Sequence, residues 1–167
     1  ALNLLLLTLM RTHEVSPQGR KKITKALKEL PGHIEKTLKQ KEVYKKVAKQ
    51  LFKKNSALFL GRGLYFAIAR EGALKLKEIS YIHAEAYPGG ELKHGPLALI
   101  DKDMPVIAVV PDNEHLDKIT SNIAEVAARR GKVFTIGPLG KTAIDKAGGH
   151  IKIPKTLDLL NPIISVV

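Results

Sequence analysis

Two charged clusters hold the side chains of this sequence best suited to chemistry. In REGALKLKEISYIHAEAY, residues 70–87, Glu71, Lys75 and Glu78 stand at i, i+4 and i+7. On a helix they share one face, which Ile82 would continue. That spacing is first of all the spacing of an exposed ion-pair ladder. Placed at a crevice, the same groups gain a second use. The ammonium would keep a neighbouring carboxylate ionised, desolvation would push its pKa back up, and the carboxylate could move a proton between adjacent carbons. The second cluster is ELKHGPLALI, residues 91–100. His94 titrates near neutral pH and suits acid–base work, and Gly95-Pro96 directly after it opposes a continuing helix. His83, Glu85, Glu91 and His94 invite a metal reading. Their spacing fits no standard ligand set and Lys93 stands in their midst, so neither a metal nor another cofactor is expected.

The elements that position these residues follow from periodicity and punctuation. Ser16-Pro17 reads as an N-cap and first helical residue. The helix it opens should stop near Pro31-Gly32, and a second helix should run to about Lys54, with Asn55 ending it. SALFL reads as a buried strand, then GRG, then a helix from Leu64 to about His83. AEAY is a short strand closed by Pro88-Gly89-Gly90, and MPVIAVV a clear strand. Residues 113–130 form a helix with Leu116, Ile119, Ile123 and Val126 on one face. KVFTI is a strand, 141–147 a short helix, and HIKI a last strand. Strands alternating with helices imply a parallel sheet covered on both faces, an α/β fold. Five strands suggest the flavodoxin-like order 2-1-3-4-5, with a crevice beside the carboxyl end of the first strand. The loop there is Gly61-Arg62-Gly63. It could cradle a phosphate, but Phe66 replaces the third glycine of the dinucleotide pattern and no Ser or Thr lies in the loop. A tight strand-to-helix turn is the stronger reading, which sends a phosphate elsewhere.

With 167 residues the chain can bury one substantial core, and with no Trp and four Phe that core must be aliphatic. The absence of Cys excludes disulfides and thiol chemistry and fits a cytoplasmic protein. No apolar run reaches the roughly 20 residues of a membrane helix. The opening ALNLLLLTLM lacks the flanks of a signal peptide and reads as the end of a core helix whose beginning is missing. The net charge is +12. Residues 1–54 hold 14 Lys+Arg against 4 Asp+Glu, so the excess lies on the leading helices. There it interleaves with an apolar stripe of Ile23, Leu27, Leu30, Ile34, Leu38, Val43, Val47 and Leu51 and reads as a solvated face. No nucleic-acid motif accompanies it.

EGALKLKEISYIHAEAY followed by GGELKHGPLALID resembles the isomerase part of the glucosamine-6-phosphate synthase family, the glutamine–fructose-6-phosphate aminotransferases. The similarity extends to ALFLGRG before it and MPVIAVVP after it. The family's isomerase part has two sugar-isomerase (SIS) subdomains, each a five-stranded parallel α/β sandwich. This chain resembles the second, residues 55–167, truncated at its C-terminus, preceded by a helical leader, residues 1–54. The resemblance gives Glu78 the role of the proton shuttle between C1 and C2 of the sugar and places Lys75 beside it. His94 becomes a ring-opening histidine that reaches into the site of a neighbouring subunit, which implies a homodimer. Gly61, Arg62 and Gly63 remain weak candidates for substrate contact. Leu97, Leu99 and Ile100 would anchor the His94 segment to the core. The substrates implied for the full enzyme are fructose 6-phosphate and glutamine-derived ammonia, the product glucosamine 6-phosphate, with no metal, redox cofactor, nucleic acid or membrane. Nothing here matches the family's Ser/Thr-rich phosphate loop or its glutaminase domain. A fragment with half a site, inactive alone, is therefore expected. Two rivals stand beside it: a stand-alone SIS module that senses a sugar phosphate, and an accessory domain binding nucleic acid through the basic leader.

Overall fold

The computed structural model describes residues 16–139 and 148–167. The expected helix end at residues 1–10 and the expected helix 141–147 lie outside them. Helix α1 is Pro17–Leu38 and α2 is Lys41–Leu51. Five strands follow, β1 Ser56–Gly61, β2 His83–Pro88, β3 Pro105–Val109, β4 Lys132–Gly137 and β5 Gly149–Lys152. Helix α3, Leu64–Ser80, joins β1 to β2, α4, Leu116–Ala128, joins β3 to β4, and α5, Asn161–Ser165, is near the end. The sheet order is β2-β1-β3-β4-β5 and every pairing is parallel, the five-stranded order expected from the sequence.

Side-chain alternation in the central strands divides the core. Leu58 and Leu60 of β1 join Val106 and Ala108 of β3 and Ile119, Ile123 and Val126 of α4. Ala57 and Phe59 face the other way, onto Tyr65, Ala69 and Ala73 of α3 with Ile107, Val109 and Phe134. Both sheet faces are dry, which is why these strands read as predominantly apolar runs. Each fully buried Leu or Ile contributes about 1.5–3 kcal/mol.

Three sequence expectations are corrected. Helix α1 does not stop at Pro31-Gly32 but passes through both. A helix-interior Pro costs about 3 kcal/mol, and the helix nonetheless continues, with local bonds on its last turn and from the next helix. Thr37 is buried, its hydroxyl donates to the His33 carbonyl at 2.9 Å, and the Tyr44 hydroxyl donates to the Thr37 carbonyl. Helix α3 ends at Ser80, not His83. Tyr81 caps it with φ 60°, and Ile82 and Ala84 turn into the core. Ile82 therefore does not continue the charged face of α3. The burial of Ile82 and the pairing of His83 with Ser56 begin β2 instead. The N-cap expectation stands: Ser16 Oγ accepts from Gly19 N–H at 3.1 Å.

The leader's lysines lie on exposed helix faces, where Lys25–Glu29, Lys39–Glu35 and Lys45–Glu42 form local pairs. Among the described residues no helix is long and apolar enough to cross a membrane. On β5, His150 shares a 2.8 Å hydrogen bond with Thr135 through Nδ1. Burial, the largest influence, holds its pKa below the ordinary histidine value, with Lys152 adding to the depression. Between the folded and unfolded pKa the unfolded chain binds more protons. Stability therefore falls as pH drops through about 6.5 and below. The urea midpoint should fall between pH 7.5 and 5.5, and less so in His150→Gln. Equal slopes in both proteins would remove His150 as the cause.

Candidate functional site

Helix α3 carries the acid–base candidates because Ala69 and Ala73 bury one side of it against the sheet and leave the other to solvent. On that outer side Lys75 Nζ lies 2.7 Å from Glu78 Oε2 and 3.8 Å from Glu71 Oε1. All three side chains are about half exposed. The hydrogen bond to Glu78 is the main reason the Lys75 pKa stands above its ordinary value, so the ammonium stays charged. Glu78 thus has a fixed cationic partner. Exposed Leu74, Ile79 and Tyr81 lie on the same stretch of chain. Lys75 also stands at the lip of an apolar cavity of about 240 Å³, lined by Phe59, Val109, Ile136 and Ile164 among others. A larger groove of about 670 Å³ runs between α3 and the edge strand β2 past Arg70, Glu71, Lys77, Glu85 and Tyr87. Neither Lys75 nor Glu78 lines it.

His94 ends a 3-10 turn, Gly89–His94, and is exposed. Gly95 follows at φ +139°, a conformation that L side chains rarely adopt, and Pro96 opens a second 3-10 turn, Pro96–Leu99. The sequence placed a helix-stopping pair after a histidine. The structure shows two tight turns meeting at a glycine, with His94 exposed to solvent. Leu92, fully buried, and Ile100, 5% exposed, anchor this segment with partly buried Leu97. Leu99 was expected among the anchors but is 54% exposed, because the second turn rotates it outward. Among the described residues no three His, Asp or Glu side chains gather as a metal site would require.

The crevice between the carboxyl ends of β1 and β3 holds a network that sequence reasoning missed. The Tyr65 hydroxyl donates to Asp158 Oδ1 at 2.6 Å and Asn113 Nδ2 donates to Asp158 Oδ2 at 2.8 Å. Lys155 pairs with Asp112. Burial, then the Asp158 bond, drives the Tyr65 pKa far above the ordinary tyrosine range. Residues 155–161 therefore cross the crevice in which open α/β sheets bind ligands. Of the loop below, Gly61 is buried, Gly63 lies against the His115 ring, and Arg62 extends over Gly90. The polar run Pro111-Asp-Asn-Glu-His115 directly after a buried strand was the available signal for these contacts.

A protein-family model described as SIS domain matches residues 50–155. The glutamine–fructose-6-phosphate aminotransferase (isomerizing) of Neisseria meningitidis serogroup B is 46% identical over 154 residues, 92% of this chain and 25% of that protein. The enzyme of that name from Legionella pneumophila strain Lens is 51% identical over 145 residues, 87% and 24% respectively. The C-terminal domain of glucosamine-fructose-6-phosphate aminotransferase from Francisella tularensis superimposes with a TM-score of 0.83 at 45% identity, covering 90% of this chain and 43% of that one. The chain spans about a quarter of the length of the curated relatives it matches.

Proposed function

Because the chain belongs to the SIS domain family, we propose that it is the second SIS subdomain of the isomerase part of a glutamine–fructose-6-phosphate aminotransferase. The observation that carries the chemistry is the Lys75–Glu78 contact of 2.7 Å on the open face of α3. It supplies a carboxylate hydrogen-bonded to an ammonium that stays protonated, on a face open to substrate, which suits a base for carbon acids. Similarity to relatives of that name supports the choice of substrate.

In the reaction proposed, the furanose ring of fructose 6-phosphate opens with His94 assisting proton transfer. Ammonia condenses at C2, water leaves, and an imine forms. Glu78 removes a C1 proton, the electron pair forms a C1–C2 double bond, and the C=N pair moves onto nitrogen, which takes up a proton. Return of a proton to C2 while O1 loses its own leaves an aldehyde at C1 and an amine at C2, glucosamine 6-phosphate. Apart from the exchange of water for ammonia at C2, the steps are proton transfers, and Lys75 serves as the charged hydrogen-bond partner of Glu78. We assign Gly61, Arg62 and Gly63 to the fold of the crevice and at most a minor substrate contact. The same reading assigns the protein to the cytoplasm, where sugar phosphates are the substrates.

His94 is exposed on a surface turn, which suits service to a second subunit in a homodimer. Mixed dimers test this in a full-length aminotransferase carrying this segment. Glu78→Gln and His94→Ala chains should each be nearly inactive alone. A co-expressed heterodimer should recover roughly a quarter to a half of wild-type turnover, because one of its two sites keeps both groups. Heterodimers that form and show no recovery would put both residues in one chain's site.

A further inference from the structure

His94 has no hydrogen bond or ion pair among the described residues, yet its direction is set. A 3-10 turn repeats every three residues, so Leu92, Lys93 and His94 leave its axis about 120° apart. Helix α4 takes two of those three directions. Leu92 is fully buried in the cluster that contains Ile119, Ile123 and Val126 of α4. Lys93 Nζ reaches Glu125 Oε1 at 3.0 Å. The remaining direction belongs to His94.

The Glu125 side chain is only 22% exposed, and its second oxygen, Oε2, is buried with no hydrogen-bond partner. Beyond a long 3.5 Å bond from the Ser121 hydroxyl to Oε1, Lys93 is the partner of this carboxylate, and removing it leaves a poorly solvated charge. One helical turn earlier, Asn122 is 6% exposed and sits against the start of the same 3-10 turn. A Cβ on Gly89 would lie 2.5 Å from its Oδ1. The turn therefore lies against one helix face along its length, Gly89 packed close to Asn122, Leu92 buried, and Lys93 paired with Glu125. Helix α4 carries none of the groups assigned to the chemistry above.

We propose that Glu125, acting through Lys93, is a positioning residue for His94. The proposal rests on the reading that His94 acts in sugar ring opening. Glu125 touches no reacting atom. It fixes the backbone from which the imidazole projects, and displacements of about 1 Å at a reacting group cost up to about 100-fold in rate.

The test uses Glu125→Gln, Lys93→Met, the double variant and Lys93→Arg. In a full-length aminotransferase carrying this segment, each of the first two should lower kcat about tenfold with KM for fructose 6-phosphate within about twofold. The double variant should be no worse than the poorer single one, since both break one interaction. Lys93→Arg should recover most of the loss. In the 167-residue chain, amide exchange at Leu92–Gly95 should speed up about three- to tenfold in Glu125→Gln, with the amides of Phe59 and Ile107 in the sheet unchanged. Unchanged exchange at Leu92–Gly95, or full kcat in Glu125→Gln beside a crippled His94→Ala, overturns the proposal. Full activity in His94→Ala instead overturns the ring-opening reading beneath it.

Discussion

Replacing Glu78 by Gln should abolish proton transfer between C1 and C2 of the sugar while leaving the protein folded. The amide is nearly isosteric with the carboxylate and still accepts a hydrogen bond from Lys75, which lies 2.7 Å away in the native protein. It cannot take up a proton. A positioned general base is worth roughly 10²–10⁴-fold, and a loss in that range is expected for the full-length enzyme, in kcat more than in KM. The pair is half exposed and lies at i, i+3 on one helix, so its removal should barely move the melting temperature. Wash-in of deuterium at C1 of fructose 6-phosphate is the direct measurement. Glu71, at 3.8 Å from the same ammonium, is the internal control. Glu71→Gln should retain most of the exchange. Normal deuterium uptake by Glu78→Gln would assign the base to another residue.

The second large effect concerns stability. Gly61 ends β1 where the first turn of α3 folds back on it. A Cβ there would lie 2.3 Å from the Tyr65 carbonyl oxygen, 2.5 Å from its carbon and 2.7 Å from the Phe66 nitrogen. All three are backbone atoms, so no side-chain rotation relieves the overlap. The turn cannot simply lift, because Tyr65 is 1% exposed and its hydroxyl is tied to Asp158. Gly61→Ala should destabilise by about 3 kcal/mol, the upper end of overpacking costs. That corresponds to about 6–12 °C in Tm for a chain of this size. Gly32 supplies the contrast. It lies in α1 with nothing within 4 Å of its Cβ position, and Gly32→Ala should raise stability by about 0.5–1 kcal/mol. Thermal melts of both variants decide the matter. A Gly61→Ala melt within 2 °C of wild type would contradict the packing argument.

The sheet was readable from sequence because its strands are buried on both faces. SALFL, MPVIAVV and KVFTI are predominantly apolar runs, and connections through helices permit few orders. Helix ends were harder to place. Pro31 argued for a stop, yet the helix continues to Leu38, and the charged spacing on α3 was extended to Ile82 although Tyr81 breaks the helix. Glu78, Lys75 and His94 were legible as residue types at telling positions. What local spacing could not supply was the set of contacts between distant segments. Lys93 meets Glu125, and Tyr65 meets Asp158 across 93 positions, and no periodicity encodes either.

That last contact has a consequence for synthesis. A ribosome adds about 5–20 residues per second, so roughly 5–20 s separate the emergence of Tyr65 from that of Asp158. During that interval β1, α3 and β2 can pair, since their contacts are close in sequence. The phenol of Tyr65, however, must either stay in water or be buried without its acceptor, at about 1–3 kcal/mol. The nascent chain should therefore hold the first turn of α3 open until the stretch from Lys155 to Asn161 arrives. Ribosome-stalled chains ending before and after that stretch should differ in protease cleavage at Leu64–Phe66.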